Sequence, residues 1–283
     1  MDDLIDPTVE FLCHKQIKSK RFNTLMMLIM LSRINPLSDE LFQNNEILHD
    51  INTPNDIGLT PLMLACMNSN NYSTEKTVKI LINAGANLNQ RDNEGRTALM
   101  LACILSNTTS TEGTIKILIE AGADLNLQNI YGWSALMHAS RSSGVGSTDG
   151  TVKLLIDAKA NLNLQSNNNS TALMMSCWHI GDESTKETAK MLIEAGADLN
   201  LQRTIDGDLV ILICLNSDYH DMRDIFEMLV DRGVDFDKKN ANGVSGLMLI
   251  QNDQYNDKHT EYITQLKKRL FNEDDDLMIE ICI

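Results

Sequence analysis

The stretch Asp92–Gln128, DNEGRTALMLACILSNTTSTEGTIKILIEAGADLNLQ, returns when the sequence is displaced by 37 residues. Gly58, Gly95, Gly132 and Gly243 fall at one phase of that displacement, with Asn169 and Asp206 at the two steps between. Gly85, Gly122, Gly196 and Gly233 fall at a second phase, broken only by Lys159. A register kept over so many units marks a solenoid, in which each unit buries its apolar face against its neighbours.

The unit has a legible anatomy. A turn such as Asn55–Gly58 or Asn93–Gly95 uses Asn and Gly, which tolerate positive φ. Thr60, Thr97, Ser134 and Thr171 then stand where an N-cap is needed, and a short helix follows, Pro61–Met67 in one unit and Ala98–Leu105 in the next. A polar loop closes on a Ser-Thr pair, at 73–74, 110–111, 147–148 and 184–185. These pairs are expected to cap a second helix, and Ser184 with Glu187 has capping-box spacing. That helix carries its apolar stripe at Val78, Leu81 and Ile82, or Ile115, Leu118 and Ile119. Gly85 and Gly122 are expected to end it in a left-handed C-cap. Lys159, at the same phase, must then take a positive φ that costs a non-glycine residue roughly 1 kcal/mol.

Composition restricts the partners. The chain of 283 residues is 43% hydrophobic, and 24 basic against 39 acidic residues leave a net charge of -15. Nucleic-acid binding needs a cationic surface for counterion release, so a phosphate-backbone partner is disfavoured, as is an anionic membrane surface. Four of the six cysteines, Cys66, Cys103, Cys177 and Cys214, share one phase, where Ser140 fills the remaining unit. Same-phase side chains of stacked helices lie about 10 Å apart, too far for disulfides or a shared metal. These thiols are therefore expected to be small core residues. The apolar run Leu25–Leu31 is too short to cross a bilayer and starts too late for a secretory signal. It is expected to be a buried helix.

Before residue 55 no repeat is visible in the letters. Helices are expected through Val9–Ile17, Phe22–Ile34 and Ser38–His49, the second ending before Asn35-Pro36. A first repeat worn beyond recognition and serving as a cap is the economical explanation.

The motif Gly-x-Thr-Pro-Leu-x-x-Ala at Gly58–Ala65, followed by Leu-x-x-x-Gly-Ala-x-x-Asn from Leu81 to Asn89, resembles the ankyrin repeat. The resemblance covers about three quarters of the chain. Against the family norm of about 33 residues, the helix-to-helix loop here is about four longer. That variant, with its Leu-Asn-Leu-Gln returns, looks like the ankyrin proteins of large DNA viruses of amoebae. The resemblance implies an all-α ankyrin-repeat solenoid of stacked helix-turn-helix units joined by β-turn or hairpin loops. The expected division is a helical N-terminal cap over 1–54 and repeats over 55–91, 92–128, 129–165 and 166–202. A degenerate repeat over 203–239, a C-terminal capping repeat over 240–271 and an acidic, then apolar, tail over 272–283 complete it. Asp206-Gly207 shifts the fifth turn by one residue, and the stack is expected to loosen towards its C-terminus.

No nucleophile, base or metal set converges in the sequence, and no P-loop, dinucleotide fingerprint or Gly-x-Ser-x-Gly is present. Gly144-Val145-Gly146-Ser147 is glycine-rich but occupies the inter-helix loop, where a flexible loop is expected. His138 is read as structural. No enzyme activity and no cofactor are expected.

Ankyrin-like stacks usually bind proteins through their turn tips and the exposed side of the first helix, a concave surface. Transferred by phase, that surface holds Asp56, Ile57, Leu59, Met67 and Asn68 in the first unit, and Asn93, Glu94, Arg96, Ile104 and Leu105 in the second. The third contributes Ile130, Tyr131, Trp133 and Arg141; the fourth contributes Asn167, Asn168, Trp178 and His179. Trp, Tyr and Arg are the types that most often anchor interfaces, and both tryptophans of the chain fall here. The rival reading is that Trp133 and Trp178 shield neighbouring helices. The expected partner-binding set is Ile130, Tyr131, Trp133, Arg141, Trp178, His179, Arg96 and Ile104. The expected function is a non-catalytic protein–protein interaction scaffold, monomeric and intracellular, in the cytoplasm of a host cell if the chain is viral. The alternative is a substrate adaptor for host ubiquitin ligase machinery, through a C-terminal F-box-like helix pair.

Overall fold

The computed structural model of the chain describes residues 23–32, 37, 47, 49–203, 207–208, 223–240, 242–246 and 248. The expected segments Val9–Ile17 and most of Ser38–His49, as well as Asp206, Cys214 and the tail over 272–283, lie outside the described residues.

Ten helices stand among the described residues. They are α1 (Thr24–Met30), α2 (Pro61–Met67), α3 (Glu75–Asn83), α4 (Ala98–Leu105), α5 (Glu112–Glu120), α6 (Ala135–Arg141), α7 (Asp149–Asp157), α8 (Ala172–Trp178), α9 (Lys186–Glu194) and α10 (Arg223–Asp231). First helices pack in one row, α1 on α2, α4, α6 and then α8, while α3, α5, α7, α9 and α10 form a second row behind them. Two-residue strands β1 (Gln202–Arg203) and β2 (Gly207–Asp208) pair antiparallel in the turn that follows. Helices of seven to nine residues are too short to persist alone, since about 12–15 are needed even for favourable sequences. Packing holds them. One continuous apolar cluster runs from Leu25 to Phe236, and Leu62, Leu99, Leu136 and Leu173 all sit at 1% exposure inside it. Each such leucine contributes roughly 1.5–3 kcal/mol by leaving water.

The caps fall where the sequence puts them, with one reassignment. Thr60, Thr97, Ser134 and Thr171 accept from the amides of Met63, Met100, Met137 and Met174. Met63 and Met137 answer with their sulfurs, taking the capping-box part that Glu or Gln usually plays. In the Ser-Thr pairs only the threonine caps: Thr74, Thr111, Thr148 and Thr185 accept from the residue three ahead. Ser184 is therefore not the cap, and its expected box with Glu187 is replaced by the Thr185–Thr188 contact. The serine turns inward instead. Ser110, Ser147 and Ser184 bond Ser69, Ser106 and Ser143 of the preceding unit at 3.4, 3.2 and 3.2 Å.

This buried hydroxyl row explains the lengthened loop. Thr77, Thr114 and Thr151 donate to Ser32, Ser69 and Ser106 at 3.0, 2.6 and 2.7 Å, so each inter-helix loop is bonded to the next unit. A carboxylate row runs beside it: Thr111 donates to Glu75 at 2.7 Å, Thr185 to Asp149 at 2.5 Å, and Thr148 to Glu112. Gly113 and Gly150 leave the room, because a Cβ on either would collide with the carboxylate of Glu75 or Glu112. The loop Gly144–Ser147, expected to be flexible, is pinned. Gly144 donates to the Glu183 carbonyl, and the amides of Val145, Gly146 and Ser147 all donate to that of Ser142.

The register also reaches back before residue 55. Helix α1 begins and ends 37 residues ahead of α2, its cap Asn23 stands 37 ahead of Thr60, and Ser32 stands 37 ahead of Ser69. Asn52 accepts from the Asn87 amide at 2.7 Å, as Asn89 does from Asp124 at 2.9 Å. Lys159 has φ +67° and Asn169 φ +59°, the left-handed values that the glycine phases require.

Candidate partner-binding surface

The third unit's turn is built by Asn129. Its Oδ1 accepts from the amides of Tyr131 and Trp133 at 3.0 and 2.9 Å, which folds the segment back on itself. Gly132 has φ +76°, and a Cβ there would lie 2.7 Å from the Asn167 nitrogen of the next turn. Only glycine meets both demands. The turn thereby presents Ile130 and Tyr131 outward, 55% and 56% exposed, while the main chain of each turn bonds the next: Ile130 N–H to Glu94 O, and Asn167 N–H to Tyr131 O.

Trp133 leaves the same turn in the opposite sense and lies half-buried against the core cluster. Its ring meets His138 at 5.0 Å between centroids, tilted 55°, and the Arg141 guanidinium carbon stands 5.6 Å from the ring centre. Arg141 is held from its other side. Nε donates to His179 Nε2 at 3.1 Å, and Nη2 pairs with Glu183 at 3.0 Å. A guanidinium has no acceptor, so His179 Nε2 carries a lone pair in this arrangement.

His138 is fixed in its neutral form by the same logic. The Asn129 amide oxygen is taken by two backbone donors, so its nitrogen faces His138 Nε2 at 3.3 Å and can only donate. Burial pushes the imidazole pKa down to about 4, and the nearby charges of Arg96 and Arg141 push it the same way. It packs; it does not titrate near neutrality.

Between the third and fourth units a cavity of about 340 Å³ opens, lined by Trp133, Arg141, Asn168, Ser170, Met174, Met175, Trp178 and His179. Trp178, the last residue of α8, is 39% exposed at its edge. Four of the eight residues expected on this surface, Trp133, Arg141, Trp178 and His179, thus meet around one cavity. Ile130 and Tyr131 stand on the turn tip beside it. Arg96 and Ile104 lie elsewhere. Arg96 is clamped by Asp92, at 2.8 Å, and by Glu94, at 2.9 Å, and Ile104 is half-buried at the end of α4. Sequence reasoning missed Ser170, Met174 and Met175. Ser170 carried a usable signal, since it stands one period after Trp133 and replaces an indole by a hydroxymethyl.

Other reactive groups are shut away. Cys66, Cys103 and Cys177 are in no disulfide and stand at 0% exposure. Desolvation pushes Cys66 and Cys103 far above the usual thiol range, and Cys177 up to about 12 against a small opposing effect of Ser176. At neutral pH none is a thiolate. Among the described residues no group of three His, Cys, Asp or Glu is placed to hold a metal, and no helix is long and apolar enough to cross a membrane.

Comparison with known proteins agrees with this architecture. No curated protein matches the chain. Among solved structures it is similar to the ankyrin repeat domain of Bcl-3, described as a unique member of the IkappaB protein family. That likeness has a TM-score of 0.69 and 21% identity over 87% of this chain and 99% of that one. It is also similar to the human ASB11 ankyrin repeat domain, with a TM-score of 0.61 and 21% identity over 81% of this chain and 91% of that one. At such identities the likeness is one of fold. The family model for ankyrin repeats, three copies long, matches residues 25–129 and again 109–203. Ankyrin repeats as a class mediate protein–protein interaction. By the extent of that match, and by a helical solenoid of the same build, the chain belongs to the ankyrin-repeat family.

Proposed function

We propose that the chain is a non-catalytic scaffold that holds a protein partner on the concave surface formed by its turn tips and first helices, centred on the third and fourth units. One observation carries the reading. Trp133, Arg141, Trp178 and His179, drawn from two units, converge on a cavity of about 340 Å³ beside the exposed tip Ile130-Tyr131. Interface energy concentrates in a few aromatic and arginine anchors set in pockets, and here both tryptophans of the chain meet an arginine. The rival reading of the tryptophans as helix shields describes Trp133 in part, since its ring rests on the core. It does not account for Trp178, whose edge is open.

On this reading the chain acts as a monomer inside a cell. The likeness of its long units to the ankyrin proteins of large DNA viruses of amoebae makes a host protein the natural partner. The ubiquitin-adaptor alternative depends on residues 259–283, which lie outside the described residues, and no observation favours it.

The test is affinity purification from the native cell with quantitative mass spectrometry, comparing the wild type with the Trp133→Ala, Trp178→Ala double variant. A partner enriched at least tenfold by the wild type and lost by the folded variant supports the reading. Equal recovery by both refutes it. Recovery of ubiquitin-ligase subunits would turn the choice towards the adaptor.

A further inference from the structure

We infer that the cavity between the third and fourth units receives one aromatic side chain from a linear segment of the partner protein. The inference rests on the protein-binding reading above and names what that surface grips.

In the third unit Trp133 occupies a place made by two other residues: its ring lies against His138 and beneath the Arg141 guanidinium. One period later the corresponding residues are Ser170, Met175 and Trp178. All three line the cavity. The fourth unit therefore has large side chains, Met175 and Trp178, at the two supporting positions and lacks the ring between them, because Ser170 offers only a hydroxymethyl. A guest ring above Ser170 would make the contacts that Trp133 makes one unit earlier. It would gain a methionine sulfur at Met175 and an aromatic neighbour at Trp178, both favourable partners for an aromatic ring.

Charge favours an uncharged guest. Arg141, the one cation among the described residues that line the cavity, is already paired with Glu183, and Arg96 is held by Asp92 and Glu94. A cavity of about 340 Å³ lies near the lower end of the roughly 300–1,000 Å³ typical of ligand sites, room for one large side chain with part of its backbone.

The chain carries two tryptophans, so a 15N-labelled sample of the full chain reports on both walls through two indole N–H signals. Titration with N-acetyl-tryptophanamide and N-acetyl-tyrosinamide should shift both signals saturably, at least tenfold more tightly than N-acetyl-leucinamide or N-acetyl-lysinamide. Ser170→Trp, which supplies the missing ring from within, should abolish those shifts while leaving the circular dichroism and urea midpoint of a folded chain. Should that variant not fold, Trp178→Ala, at an exposed edge, must weaken the aromatic probes at least tenfold. Equal or tighter binding of the leucine or lysine probe overturns the inference, as does the absence of any shift or its persistence in Ser170→Trp. The peptide Gly-Gly-Trp-Gly-Gly must bind at least as tightly as free indole; preference for free indole would mark a small-molecule pocket and overturn the peptide assignment. A partner kept by Ser170→Trp but lost by the double alanine variant would leave the surface standing and the inserted ring refuted. A partner kept by both would refute the surface itself.

Discussion

Replacing Lys159 by glycine should stabilise the protein, and the structure gives the size of the effect. Lys159 has φ +67°, a left-handed conformation that strains an L residue by roughly 1–2 kcal/mol. Glycine removes that strain but enlarges the entropy of the unfolded chain, an opposing effect of about 0.4–1 kcal/mol. The cap bonds are made by backbone, Lys159 N–H to Ile156 O at 2.9 Å and Ala160 N–H to Leu155 O at 3.0 Å, so they survive. The side chain is exposed, and the glycines at its phase, Gly85, Gly122 and Gly196, have open space where a Cβ would stand. No packing is lost. The net gain is about 0.5–1 kcal/mol, which for a chain of this size raises Tm by about 1–4 °C. Urea midpoints and calorimetry on Lys159→Gly measure it, with Gly122→Ala as the converse, expected to lose about 1 kcal/mol from φ +89°. An unchanged or lowered stability in Lys159→Gly would refute the reasoning, since it would mean that the strain relieved does not exceed the entropy that glycine adds to the unfolded chain.

Legibility in the sequence followed periodicity. The stack, the first-helix caps, the left-handed phases and the buried cysteines could be read because each is repeated, and a requirement that recurs every 37 residues shows in the letters. What did not recur was hard to see. Helix α1 keeps the register of α2, with Leu25, Met26 and Met30 matching Leu62, Met63 and Met67, but both glycine phases are missing from the letters there, and an asparagine caps it where a threonine caps α2. The Ser-Thr pairs were visible as pairs, yet which hydroxyl caps and which turns inward depends on the neighbouring unit, and local spacing cannot encode that. At the candidate surface the protruding residues were legible by phase. The cavity was not, because it is made by the small Ser170 beside large neighbours, and a missing side chain leaves no motif.

Three further outcomes follow from particular contacts. Ser140 buries a hydroxyl that has no partner where four other units carry cysteine, so Ser140→Cys should raise stability by about 1 kcal/mol in urea melts; a loss of that size would show that the site rejects sulfur. Gly113→Ala alone should be nearly neutral, because better helix propensity, about 1 kcal/mol, is offset by displacing the Glu75 carboxylate from Thr111. In a Glu75→Ala background the same change should stabilise by about 1 kcal/mol, and equal effects in both backgrounds would contradict the carboxylate row. His138, whose folded pKa of about 4 lies below its ordinary 6.5, binds its proton later in the folded state than in the unfolded one. Its contribution is complete above pH 6.5 and is lost as pH falls towards 4. His138→Leu, the residue found at the same phase in two other units, should flatten that part of the stability curve; parallel curves for the two proteins would contradict it.

Hydrogen–deuterium exchange of the chain with and without its captured partner tests the central claim most directly. The account predicts new protection in the segments 129–141 and 166–179, which carry the turn tips, Trp133, Arg141 and Trp178. Protection confined to the second-row helices Asp149–Asp157 and Lys186–Glu194 would place the partner on the opposite face and contradict it.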